Sequence, residues 1–123
     1  MISRIIVTIV IAAVVTFAQS PTPTPQAAKP YFIAIFSKGP AWDEAKQANE
    51  QAGFKEHSEN LKRLRADKRI PIGGRYADKG MVIVTASNET QAKSLFAGDV
   101  MLEKRTFTLE VYEFRPFYRG SIE

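Results

Sequence analysis

The sequence predicts an α+β fold: a four-stranded antiparallel sheet with two helices on one face. Three observations predict it. Tyr31–Ser37 (YFIAIFS), Met81–Ala86 (MVIVTA) and Arg105–Phe114 (RTFTLEVYEF) are strand-like runs rich in Ile, Val, Phe and Thr. Between the first two, Gly53–Ala66 places Phe54, His57, Leu61 and Leu64 at i, i+3, i+7 and i+10, one face of a helix. Asp78-Lys79-Gly80 is turn chemistry just ahead of the Met81 run, and so predicts a hairpin.

The 123 residues suit one domain, from which the N-terminal part stands apart. Met1–Arg4 carries a positive charge, Ile5–Val15 is apolar, and Thr16-Phe17-Ala18 puts small residues ahead of a cut at Gln19. This is the three-part pattern of a secretory signal peptide, residues 1–18, and it places the mature protein outside the cytoplasm, periplasmic or extracellular. Two other readings stay open. One is an uncleaved membrane anchor, for which the run is short beside the about 20 residues of a span. The other is a buried strand, since Ile and Val favour strands. Residues 19–30, which include SPTPTPQAAKP, read as an extended Pro-rich linker. The folded unit is expected over residues 31–117, with a tail at 118–123.

The absence of cysteine excludes disulfides, a thiol-anchored lipoprotein and a cysteine enzyme. The domain must therefore hold together through its core or a partner subunit. The formal charge is +4, or 16 basic against 13 acidic side chains once Arg4 is removed with the signal. Lys62, Arg63, Arg65, Lys68 and Arg69 cluster late in the first helix. Cations there complement the helix dipole on a solvated face, and no nucleic-acid motif accompanies them, so nucleic acid is not expected as a partner.

In the first strand Ile33 and Ile35 point one way and Phe32, Ala34 and Phe36 the other; Lys38-Gly39-Pro40 ends it. Ala41–Ala52 is polar apart from Trp42 and reads as a surface segment with a short helix. A second strand, Ile70–Ala77, begins at Pro71, and Gly73-Gly74 strips it of side chains where something could approach the backbone, or where the strand simply bends. The second helix opens near Ser87–Thr90, with Ser87 or Asn88 as its cap. Ala92, Leu95 and Phe96 form its apolar side, Gly98 stops it, and Asp99 follows. In the last strand Phe107, Leu109 and Val111 share one face; Thr108, Glu110, Tyr112 and Phe114 share the other.

The order is β-α-β-β-α-β, the ferredoxin-like arrangement. Two helices cover one face of such a sheet, yet at least three strands are apolar on both. An open apolar face of that extent needs a cover. A second copy packed sheet to sheet, making a homodimer, supplies one; a lipid-like or aromatic ligand is the alternative.

His57 is the only histidine, and it lies on the inward stripe of its helix. Burying its polar nitrogens unpaired would cost about 1–3 kcal/mol, so it needs a partner. Trp42 and Phe54 either wall an apolar pocket, with Gly74 beside it, or are plain packing residues. One His and no Cys leave no metal site with ligand spacing. No phosphate-cradling glycine loop is present, and no cofactor is expected; no serine sits in a nucleophile-elbow context, so Ser-His-Asp hydrolysis is not expected either.

The segments KGPAWDEAK, GFKEHSENLKRL, IPIGGRY and KGMVIVTASNETQAKSLFAGD, in that order, resemble the YCII-related family over about Tyr31–Phe114. The resemblance implies a ferredoxin-like fold of the dimeric α/β-barrel superfamily, similar to muconolactone isomerase. It also implies a His–Asp pair in a cleft, here His57 and Asp99. The family usually has Asp-Pro at the second position; this chain has Asp99-Val100. Typical members also look cytoplasmic, whereas this chain carries an export pattern. A carboxylate that accepts from one ring nitrogen fixes the imidazole tautomer, leaving the other nitrogen to move a proton near neutral pH. Isomerase- or lyase-like acid/base chemistry on a small, partly apolar molecule is then expected, with His57 as base and Asp99 as its orienter. The competing reading is a non-catalytic ligand-binding or dimerisation module, in which Asp99 merely ties the helix to the loop.

Overall fold

Alternation along the first strand, β1 (Tyr31–Lys38), sets the architecture: Phe32, Ala34 and Phe36 are buried while Tyr31, Ile33 and Ile35 are only half covered. The structure is a computed structural model and describes residues 18–20 and 29–120. The expected signal segment and Pro-rich linker lie largely outside the described residues, as does the end of the tail. Among the described residues no helix is long and apolar enough to cross a membrane.

β1 pairs antiparallel with β3 (Lys79–Thr85) on one side and β4 (Phe107–Phe114) on the other; β2 (Ile72–Tyr76) pairs with β3, giving the order β2-β3-β1-β4. The chain is thus α+β with a four-stranded antiparallel sheet. Leu64 of α1 (Phe54–Ala66), Ala92 of α2 (Glu89–Ser94) and Phe96 join Phe32, Ala34, Phe36, Val84 and Val111 in one buried cluster, so the helices share one face of the sheet.

Locally the structure refines the expectations at three points. The hairpin turn is Ala77-Asp78, not Asp78–Gly80, because Tyr76 pairs with Lys79; Ala77 takes the left-handed conformation (φ 50°) that glycine usually supplies. The polar stretch after β1 forms only a single 3₁₀ turn, Ala48–Glu50. A third helix is present, the one-turn α3 (Val100–Glu103), capped by Asp99. Of the two cap candidates for α2, Asn88 does the capping. Its Oδ1 accepts from the Gln91 N–H at 2.8 Å, while Gln91 Oε1 accepts from the Ser87 N–H at 2.6 Å.

Among the described residues, no helix packs on the other face of the sheet. Register places Tyr31, Ile33 and Ile35 between Thr85, Ile83 and Met81 on one side and Phe114, Tyr112 and Glu110 on the other. Ile72, Tyr76, Tyr112 and Phe114 are exposed there. The Tyr112 hydroxyl donates to Glu110 at 2.9 Å, and that hydrogen bond, then the carboxylate's charge, holds the phenol above its ordinary value.

Candidate functional site

His57 enters the site from the first turn of α1, whose start is fixed by Gly53. This residue has φ +86°, and a Cβ built on it would come within 2.8 Å of Val100 Cγ1. Glycine is therefore needed twice over, for its backbone conformation and for the close approach of α3. That approach sets the entry to α1 beside the first residue of α3, one position after Asp99.

The two side chains meet. His57 Nδ1 lies 2.6 Å from Asp99 Oδ2, across 42 residues of sequence, with the carboxylate side chain wholly buried and the imidazole 7% exposed. The other carboxylate oxygen, Oδ1, accepts from the backbone N–H groups of Met101 (3.0 Å) and Leu102 (3.4 Å). One side chain thus caps α3 and holds the ring. An ionised carboxylate only accepts, so with Asp99 charged Nδ1 carries a proton and Nε2 keeps its lone pair in the neutral ring. Among the described residues Nε2 has no hydrogen-bond partner, nor is it a sealed, unsatisfied atom.

Aromatic rings hold the imidazole in place. Phe36 and Phe107 meet it edge to face, at centroid distances of 5.0 and 5.3 Å; Phe54 lies tilted at 6.4 Å. The imidazole borders a cavity of about 420 Å³ between α1 and the β2–β3 hairpin. The space exists because the sheet lacks side chains there. Gly73 pairs with Val82 and Gly80 with Phe36, both buried residues of the helix-covered face, so both glycines present bare backbone to α1. A Cβ at Gly80 would have Phe36 Cβ, at 4.0 Å, as its nearest neighbour; one at Gly73 would meet Val82 Cγ1 at 3.0 Å.

Each residue singled out in the sequence borders this space except Asp99, which stands behind the imidazole. Trp42 stacks on Phe107 (5.7 Å, 21° between planes) and has Lys38 Nζ 5.2 Å from its ring centre. Phe54 lines the wall on the α1 side. Gly74 is at the margin, but a Cβ there would meet nothing within 4 Å and would sit on the face away from the helices; Gly73 and Gly80 shape the floor.

One contributor has no signature in the sequence. Gln51 is buried, accepts from the Asp43 N–H at 3.1 Å, and donates to the carbonyls of Asp43 (2.7 Å) and Lys46 (3.2 Å). It ties down the polar loop that presents Trp42. A buried glutamine whose partners are all backbone groups of a loop leaves no spacing to read.

The arrangement can hold a small, largely apolar molecule against an oriented imidazole. Among the described residues no group of three or more His, Cys, Asp or Glu side chains could hold a metal ion. Compared with protein-family models and with curated proteins, the chain matches neither a family model nor a curated relative.

Proposed function

We propose that this is an exported, ferredoxin-like protein of the YCII-related type that carries out acid/base chemistry on a small, partly apolar molecule. One observation carries the reading: His57 Nδ1 is held by Asp99 at 2.6 Å while Nε2, without a protein partner among the described residues, belongs to a ring that borders a cavity. Nε2 is the base. It takes a proton from a carbon beside a carbonyl, and the imidazolium returns it at another carbon or assists departure of a group. Asp99 is the positioning residue. It keeps the tautomer and stabilises the charged ring as it forms. Phe36, Phe54, Phe107 and Trp42 exclude water around the reacting carbon. The order of the strands and the helix-covered face support the ferredoxin-like assignment.

Deuterium exchange tests the chemistry. Small ketones and 2-oxo acids are incubated with the protein in heavy water, and loss of the proton signal next to the carbonyl is followed by NMR. The wild type is expected to accelerate exchange in at least one of them, and His57→Gln to lose about 10²–10⁴-fold of that rate. Equal acceleration by His57→Gln would rule out His57 as the base. Binding without exchange would favour the second reading, a non-catalytic ligand module, which the edge-to-face aromatic packing of the ring also supports.

We further propose that the open sheet face packs against a second copy. Ile72, Tyr76, Tyr112 and Phe114 expose 37–53% of their surface there, flanking half-buried Ile33 and Ile35. A band of this kind is what a dimer interface covers. Sedimentation at micromolar concentration should give twice the monomer mass; a monomer refutes the dimer and leaves the acid/base proposal standing.

A further inference from the structure

Of the basic cluster expected late in the first helix, Lys68 and Arg69 fall beyond the end of α1 at Ala66, and the three residues within it divide in two. Arg63 pairs with Asp67 at 3.6 Å and reaches Asn60 at 2.6 Å, on the outer side. Lys62 and Arg65 instead line the His57 cavity. Facing them across the opening is Arg75 of β2, which pairs with Gly80 and so shares the helix-covered face with Gly73. Among the described residues none of these three cations forms an ion pair; the pairs that do form are elsewhere. Lys79 also borders the cavity, but its ammonium donates to Ser37 at 2.9 Å. Among the described residues that line the space, Asp78, on the hairpin turn, is the only carboxylate.

The rim is thus cationic and the interior is aromatic and aliphatic, with bare backbone at Gly73 and Gly80 for its floor. We infer that the ligand of this cavity is an organic carboxylate: an anionic head at Lys62, Arg65 and Arg75, and an apolar body reaching inward to His57. The inference rests on reading the cavity as a ligand site. It adds to the acid/base proposal the class of molecule and the direction in which it lies. Two arginines and a lysine match a carboxylate, which accepts two parallel N–H bonds from one guanidinium. A neutral molecule of the same shape would bring no counter-charge to three unpaired cations. The inward pose also accounts for the separation of roles, since the head is held at the rim and the reacting carbon lies deeper, beside the imidazole.

The test compares 3-phenylpropionate with its neutral isostere 3-phenylpropanamide, titrated into the full chain and followed by calorimetry and amide shifts. The carboxylate is expected to bind about tenfold tighter at low salt, with the margin shrinking as salt rises. Arg65→Gln and Arg75→Gln should each weaken the carboxylate by about two- to fivefold and leave the amide unchanged, the scale of exposed charge pairs. Arg63→Gln, whose partner is Asp67, should change neither. Equal affinity for acid and amide, no binding of either at millimolar concentration, or a loss with Arg63→Gln as large as with Arg65→Gln would overturn the inference. His57→Gln separates the two proposals, because it should keep the preference for the acid while abolishing exchange. A preference for the acid without exchange in any wild-type reaction leaves this inference standing and removes the acid/base proposal. Exchange on neutral ketones alone does the reverse.

Discussion

The two ends of the layer between the helices and the sheet are built on opposite principles. Where β1 meets β4 and the far end of β3 it is filled: Ala34, Val84 and Ala92 have no exposed surface, and Leu64 and Phe96 keep 2%. Over the β2–β3 hairpin the layer is hollow, every residue of β2 is exposed, and two core-facing positions are glycine. Phe36 belongs to both ends, packing edge to face on Phe96 (5.3 Å) and on His57 (5.0 Å). The filled end supplies stability, and the hollow end uses that stability to keep an apolar space open beside a polar ring. Tight packing and an open cavity coexist because they lie at different ends of the same layer, with Phe36 and Val82 shared between them.

The contrast can be broken most severely at the filled end. Phe96→Ala should cost about 3–5 kcal/mol in urea unfolding, since it removes a buried ring from the core cluster and leaves a cavity. A loss under 1 kcal/mol would mean that the filled end is itself loosely packed. Asp99→Ala acts at the junction. It removes the cap of α3 and leaves a buried ring nitrogen unpaired, together worth about 2–4 kcal/mol. With one histidine in the chain, the imidazole nitrogen spectrum is free of overlap. It should report Nδ1–H for the neutral ring in the wild type and a loss of that preference in the variant, which loss of stability alone would not produce.

Smaller effects sharpen the comparison at the hollow end. Gln51→Ala should cost about 1–2 kcal/mol through unpaired loop groups. It should also shift the emission of Trp42, the only tryptophan, toward that of a solvated indole. Unchanged emission would show that Phe107 alone holds Trp42. Gly80→Val should change stability by less than about 1 kcal/mol in either direction, because a strand position gains a β-branched residue and its Cβ has room. The same substitution should abolish binding of 3-phenylpropionate. Substitutions that spare folding and remove binding are expected only over the hairpin.

The identity and order of the strands along the chain and the buried stripe of α1 were legible because they depend on period, and the periods here are strong. The hairpin turn was misplaced by one residue because Ala77 adopts a left-handed conformation without glycine's signature. α3 escaped notice because four residues make one turn and show no period. Its one signal was Asp99, read as a partner for His57 but not as a cap. That partnership came from family resemblance; periodicity puts His57 inside and says nothing of a carboxylate 42 residues away. The cavity floor could be read only in part: Gly73-Gly74 marks a stretch bare of side chains, but not which of the two faces α1, nor that Gly80 joins it. Gly73 and Gly80 open one space only because the register with Val82 and Phe36 turns both toward α1.

β2 is joined to the sheet along a single edge, through β3. Its amides should be among the first to trade hydrogen with solvent, since lifting this strand breaks one ladder and exposes little apolar surface. A molecule lodged between Arg75 and α1 would staple the strand down. Slowed exchange across Ile72–Tyr76 would therefore announce occupancy before any reaction is known, and it offers a screen that does not depend on turnover.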